Sequence, residues 1–161
     1  MRACLVIAAL LIASALQAQK VMQFSQLKTE GIRQTWLDST YTSAVHSDTA
    51  LAVFKTEKAQ EEFIGAYNIF IQNLGKFLAE NGFVFMQEQR CFNRVYFAAD
   101  GTVEYFAYSF SNKNIEPQNQ LTPQQISEFE RLLKLYLQTA KLSVTASVSF
   151  AQCSPVVYGK K

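Results

Sequence analysis

The sequence predicts an α+β domain in which two helices pack on one face of a small antiparallel three-stranded sheet. Three observations lead to this fold class. Apolar residues recur at helical spacing over residues 57–81, and aromatic and β-branched residues flank an Asp-Gly turn over residues 92–110. A second helical stripe then precedes an alternating segment at residues 144–150. The predicted order is therefore helix, strand, strand, helix, strand, within a domain at residues 57–158.

The N-terminus has the features of a secretory signal peptide. Arg2 is followed by an apolar run over residues 3–16, and Ala18 is a small residue that suits signal-peptidase cleavage. A membrane anchor is the alternative, but the run is short against the ~20 residues of a spanning helix. We predict that residues 1–18 are removed, and that the mature protein is extracytoplasmic, periplasmic or secreted, and does not span a membrane.

The composition argues against several classes of function. Basic and acidic residues nearly balance, 15 against 13, and no basic run occurs, so a nucleic-acid partner is not expected. The single His cannot form a zinc set with separated cysteines, and the glycines are isolated rather than grouped in a phosphate-binding loop. We expect no metal and no cofactor, and a partner that is an unidentified protein or peptide of the cell envelope.

Residues 19–56 form an N-terminal extension that is expected to pack on the domain. Their apolar residues, including Trp36, are spaced loosely like one helical face, which predicts a short helix near residues 25–38. A polar, irregular stretch follows it. This extension contains the one His of the chain, His46, close to Ser and Asp residues.

The first domain helix is predicted over residues 57–81. Its buried stripe includes Phe63, Phe70 and Leu74, and acidic residues occupy the first turns, where the helix dipole favours negative charge. Gly82 follows as a predicted C-cap.

The hairpin turns at Asp100-Gly101, where Gly accepts a positive φ without steric cost. A loop at residues 99–101 places Val95 and Phe97 on the same face as Val103, Tyr105 and Ala107. The opposite, outer face then carries an aromatic candidate binding surface made of Arg94, Tyr96, Phe106 and Tyr108. The alternative is that residues 19–56 cover this face.

The second helix is predicted to begin at Thr122 and Pro123, with Gln125 completing a capping box, and to end near Lys141. It returns the chain along the sheet, so the third strand at residues 144–150 runs antiparallel to the first. The predicted strand order is second, first, third, with the first strand central.

The stretch VYFAADGTV at residues 95–103, together with the element order, resembles the C-terminal domain of TonB-type energy transducers. In that family a similar hydrophobic strand, Asp-Gly turn and strand are followed by a helix and a short last strand. The resemblance covers roughly residues 57–153. It implies a domain that binds peptide segments by adding them as a strand to a sheet edge.

Two functions from different classes follow. The first is a non-catalytic extracytoplasmic binding module that uses either the aromatic face or a sheet edge, where a peptide adds to residues 103–110 or to the third strand. The third strand is favoured because its outer residues, Ser147 and Ser149, are small. The alternative is a small extracytoplasmic hydrolase-like enzyme that uses His46 with a Ser or Asp.

The two cysteines of the mature chain predict a Cys91–Cys153 disulfide, because secretion exposes an even number of thiols to an oxidising compartment. The predicted topology places the start of the first strand beside the end of the third. Against the bridge, Cys91 has inward parity and Cys153 outward parity. The alternative is a pair of free buried thiols.

Overall fold

The computed structural model describes residues 19–113 and 115–159, which form an α+β fold. The predicted signal peptide lies outside the described residues. The principal elements in chain order are β1 (Lys20–Gln23), α1 (Gln34–Thr40), β2 (Thr42–Ser43), α2 (Glu57–Glu80), β3 (Gln89–Phe97), β4 (Val103–Ser111), α3 (Pro123–Leu137) and β5 (Phe150–Tyr158).

Among the described residues, the sheet has five strands in the order β1-β4-β3-β5-β2. β3 is antiparallel to both of its neighbours, whereas β1 is parallel to β4 and β2 is parallel to β5. The predicted fold, a three-stranded antiparallel sheet with two helices, is therefore wrong. The extension adds two edge strands and the helix α1, and β1 and β2 are too short to leave a period-two signal in the sequence.

The prediction of a long helix over residues 57–81 is confirmed by α2. The Thr56 hydroxyl accepts the Ala59 N–H at 3.1 Å and caps its N-terminus. At the other end Gly82 has φ +77°, and the Phe83 N–H donates to the Leu78 carbonyl at 2.9 Å. This is a Schellman ending, and it turns the chain back towards the sheet.

A bulge in the hairpin reverses part of the predicted facing. Tyr96 pairs with Tyr105, but Phe97 pairs with Val103, so Glu104 is an extra residue in β4. Every residue of β4 beyond the bulge therefore has the opposite parity to the predicted one. Phe106 and Tyr108 face the helices, whereas Tyr105 and Ala107 face the other side.

The capping box of α3 is confirmed. The Thr122 hydroxyl accepts the Gln125 N–H, and the Gln125 side chain accepts the Thr122 N–H. The predicted strand at residues 144–150 is wrong, since β5 begins only at Phe150. Residues 142–146 instead run along the hairpin turn, where the Leu142 N–H donates to Gly101 and the Ala146 N–H to Ala99.

The two faces of the sheet are buried by different parts of the chain. The inner face packs against α2 and α3 in the main core, which contains many aromatic rings. The outer face packs against the extension in a smaller cluster of Met22, Leu27, Ile32, Leu37, Tyr41, Tyr96 and Ala151. Within the described part of the chain, none of the helices has the length and hydropathy needed to cross a bilayer.

Candidate functional site

The four hairpin residues predicted as a binding surface do not share a face. Arg94 and Tyr96 lie on the outer face, where Tyr96 is fully buried under the extension. Phe106 and Tyr108 are fully buried on the inner face, and the Tyr108 hydroxyl donates to Glu130 in α3 at 2.8 Å. The bulge at Glu104 is the reason for this separation.

The covered part of the outer face is held by polar as well as apolar contacts. Arg94 forms an ion pair with Asp38 of α1 and lies over the Tyr96 ring, 5.6 Å from its centroid. The Tyr41 hydroxyl donates to the Glu104 carboxylate at 2.7 Å. Burial, followed by the Glu104 hydrogen bond, raises the pKa of Tyr41, so the phenol stays protonated and remains a donor. These groups attach α1 to the sheet.

The remaining predicted residues lie in loops. Ser147 and Ser149 precede β5, so neither contributes to its edge. His46 is exposed between β2 and α2, and its Nδ1 accepts the Asp48 backbone N–H at 3.0 Å. Its position therefore does not favour a hydrolase centred on His46.

The predicted disulfide is wrong, since both cysteines are free. Cys91 is buried on the inner face and pairs with Val156, whereas Cys153 is exposed on the outer face and pairs with Arg94. The two thiols thus lie on opposite faces of the sheet and in different rungs, and the opposed parities already visible in the sequence decide the outcome. Burial raises the pKa of Cys91 to about 12.

β5 is left mostly unpaired on the side that faces away from β3. β2 pairs only with Phe150 and Ala151, which leaves residues 152–158 without a strand neighbour on that side among the described residues. By contrast, β1 pairs with residues 105–108 of the other edge, which was the alternative predicted binding edge.

The backbone groups available on β5 follow from the ladder. The Ala151 carbonyl accepts the Ala44 N–H at 2.8 Å and therefore points away from β3. Because the direction alternates along an antiparallel strand, the groups of Cys153, Pro155 and Val157 also point outward. Pro155 has no N–H, and the Gln152 side chain donates to the Cys153 carbonyl at 2.9 Å. The N–H groups of Cys153 and Val157 remain as outward donors, and the carbonyls of Pro155 and Val157 as outward acceptors.

An apolar groove lies beside this edge, and we call it the α2–β5 groove. It has a volume of about 400 Å³ and contains no acidic or basic residue among those that line it. Its principal walls are formed by Ile71, Gly75 and Ala79 of α2, Val84 and Phe85 of the following segment, and Val156 and Val157 of β5. Val84 and Val157 are 59% and 54% exposed, which is high for valine side chains beside a core.

Local contacts hold the walls of the groove in place. The Tyr67 hydroxyl of α2 and the Ser154 hydroxyl of β5 are hydrogen-bonded at 2.7 Å, and the Phe85 and Tyr158 rings stack at 5.1 Å. At the end of β5, Gly159 has φ +100°, and a Cβ there would lie 2.6 Å from the Gln87 carbonyl oxygen. Only glycine permits this close approach. These contacts connect α2, β5 and the segment after α2, which together form the walls of the groove.

The arrangement offers backbone hydrogen bonds and apolar surface rather than reactive groups. Within residues 19–113 and 115–159, no cluster of His, Cys, Asp and Glu is suited to hold a metal ion. Compared with known proteins, the chain matches no family model, no curated protein and no solved structure. The function must therefore be argued from the site itself.

Sequence reasoning missed the groove for identifiable reasons. Proline is rare within strands, so the sequence around Pro155 gives no signal that Val156 and Val157 belong to one. Gly75 is unusual within a helix, but Gly65 of α2 is equally unusual and does not line the groove, so glycine alone does not locate it.

Proposed function

We propose that the protein is a non-catalytic extracytoplasmic binding module that holds an extended peptide along the β5 edge. The observation that carries the proposal is the unpaired edge at residues 152–158, lying directly beside the apolar α2–β5 groove. Strand addition uses these two components together, since backbone hydrogen bonds supply affinity and adjacent pockets accept side chains. The extracytoplasmic location rests on the sequence of residues 1–18, and the resemblance to TonB C-terminal domains implies the same mode of binding.

A peptide fits this edge better than a second copy of the chain. In a symmetric antiparallel pair of β5 strands, Pro155 of each copy withholds an N–H, so each dimer loses that bond twice. A separate peptide loses only one hydrogen bond at Pro155, and it keeps the hydrogen bonds to Cys153 and Val157. Pro155 thus protects the edge against self-association, which is a known role of proline in edge strands.

The test begins with short random peptides displayed on phage and selected on the immobilised protein. Selected peptides are synthesised, and their affinity is measured by fluorescence anisotropy. We expect Val157→Pro to weaken binding about 10-fold, because it removes an outward N–H and leaves a peptide carbonyl unpaired. Val157→Thr keeps that N–H and is the matched control.

Hydrogen exchange gives a second measurement that does not depend on the proline variant folding. Bound peptide should slow exchange at the Cys153 and Val157 amides of the unmodified protein. The proposal is wrong if no peptide is selected, or if the selected peptides leave these two amides unprotected.

A further inference from the structure

The α2–β5 groove has a geometry that constrains the side chains of a peptide on the β5 edge. α2 follows β5 in the same direction, since Phe63 lies 5.8 Å from Phe150, Tyr67 contacts Ser154, and the next helical turns line the groove with Val156. Side chains of an added strand alternate between the two faces of the sheet. Every second one therefore points towards α2.

The spacing of the groove residues along α2 is close to the spacing of alternate residues along an added strand. Ile71, Gly75 and Ala79 are successive groove residues four positions apart, and the helix rises ~6 Å over that interval. Alternate residues of a strand are ~6.7 Å apart. Consecutive inward side chains of a peptide would thus meet consecutive turns of α2, one on each side of Gly75.

Gly75 provides the space that these side chains need. A Cβ at this position would meet no atom within 4 Å, so the groove is open at its centre. The lining also selects against charged peptide side chains, because it contains no charged residue that could pair with them. Burying such a charge without a partner is costly, whereas an apolar side chain gains from leaving water.

We infer that the α2–β5 groove selects extended peptides with uncharged, apolar side chains at alternate positions, two of which flank Gly75. The inference rests on the proposed function and adds the class of ligand to it. The outward positions of the same peptide lie over the outer face and carry no such requirement.

Two glycines of α2 supply a matched pair of variants for the test. Both Gly65 and Gly75 tolerate a Cβ without any contact within 4 Å, but only Gly75 lines the groove. Gly75→Leu should fill the groove and raise the dissociation constant of the selected peptides at least about 10-fold. This corresponds to a loss of about 1.4 kcal/mol in binding free energy. Gly65→Leu makes the same change in helix propensity and should leave their affinity unchanged.

A lysine scan of the best selected peptide gives an independent readout. Lysine at alternate positions should weaken binding about 10-fold or more, whereas lysine at the intervening positions should have little effect. Sedimentation of the free protein should show a monomer. Self-association that Gly75→Leu abolishes would identify a second copy as the occupant and overturn the inference.

The two proposals fail in different ways. If peptides protect the Cys153 and Val157 amides, but the lysine scan shows no alternation or Gly75→Leu binds them normally, the ligand class is wrong and edge binding stands. If no peptide protects the β5 edge, both proposals are overturned.

Discussion

The two edges of the sheet are completed by the same N-terminal extension, but to very different degrees. On the β4 side, β1 pairs with four residues and places Val21 and Met22 in the two hydrophobic clusters. On the β5 side, β2 pairs with two residues, and Thr42 and Ser43 are exposed. The β4 edge is therefore part of the core. Most of the β5 edge has no covering strand, and Pro155 is its protection against self-association.

This difference shows that exposure of an edge is a local property of this fold. The extension passes both edges, and the backbone groups beyond Ala151 remain open because the chain leaves the sheet after Ala44 to reach α2. Edges that carry unpaired groups normally need such protection against other chains. An edge that is open, proline-protected and flanked by a groove is thus suited to a selected partner.

The largest effect is expected from weakening the closed edge. Met22→Ala should lower the free energy of unfolding by about 2–5 kcal/mol, because it removes a buried side chain and leaves a cavity beneath the extension. Thr42→Ala in β2 is the matched control and should change it by no more than about 0.5 kcal/mol. Denaturant titration monitored by circular dichroism measures both free energies. Equal decreases for the two variants would contradict the claim that the extension closes one edge more firmly than the other.

An intermediate effect is expected in the reactivity of the two thiols. Cys153 is exposed on the open edge strand, whereas labelling of Cys91 requires the inner face to open. Native protein treated with iodoacetamide should therefore be alkylated at Cys91 about 100-fold more slowly than at Cys153.

Peptide mapping by mass spectrometry separates the two sites. Burial raises the pKa of both thiols, so the comparison is made in mildly alkaline buffer. A peptide linked by a Cys91–Cys153 disulfide in the unreduced digest would contradict the structure.

The smallest effect is expected at the hairpin turn, which neither edge strand reaches. The Lys141 ammonium donates to Asp100 at 2.7 Å and, with hydrogen bonds from Thr102, lowers the pKa of that carboxyl from 3.8 to about 2. Asp100→Asn should cost only about 0.5 kcal/mol at neutral pH, because the pair is exposed and screened.

The sign of the pH dependence follows from this lowered pKa. The contribution of Asp100 is fully present above pH 3.8 and is lost as the pH falls through about 2. The Tm values of the unmodified protein and of Asp100→Asn should therefore become equal in acid. Lys141→Gln should show the same convergence, and a constant difference at every pH would argue against the ion pair.

The long helices could be predicted because their signals are local. The stripe of α2 and the Thr122–Gln125 capping box depend on residues a few positions apart, and both were located correctly. The bulge at Glu104 has no comparable signal, because its position depends on how β4 meets β3. That single residue moved Phe106 and Tyr108 from the predicted surface into the core.

The third strand was misplaced for a related reason. Residues 144–149 alternate like a strand, but their backbone groups partly bond to the hairpin turn, where Ala146 contacts Ala99. The true strand contains Pro155, which is tolerated because its missing N–H faces the open edge. The groove could not be predicted, because it requires the relative position of α2 and β5.

The parallel pairing of β1 and β2 also has a consequence for the order in which the chain can fold. Lys20 is made well before its partner Tyr105, and Thr42 well before its partner Phe150. Such distant pairings are slow to form, because a long loop must close first. The hairpin and α2 are formed by residues close together in the sequence, so we expect the extension to dock last and to detach first when the protein begins to unfold.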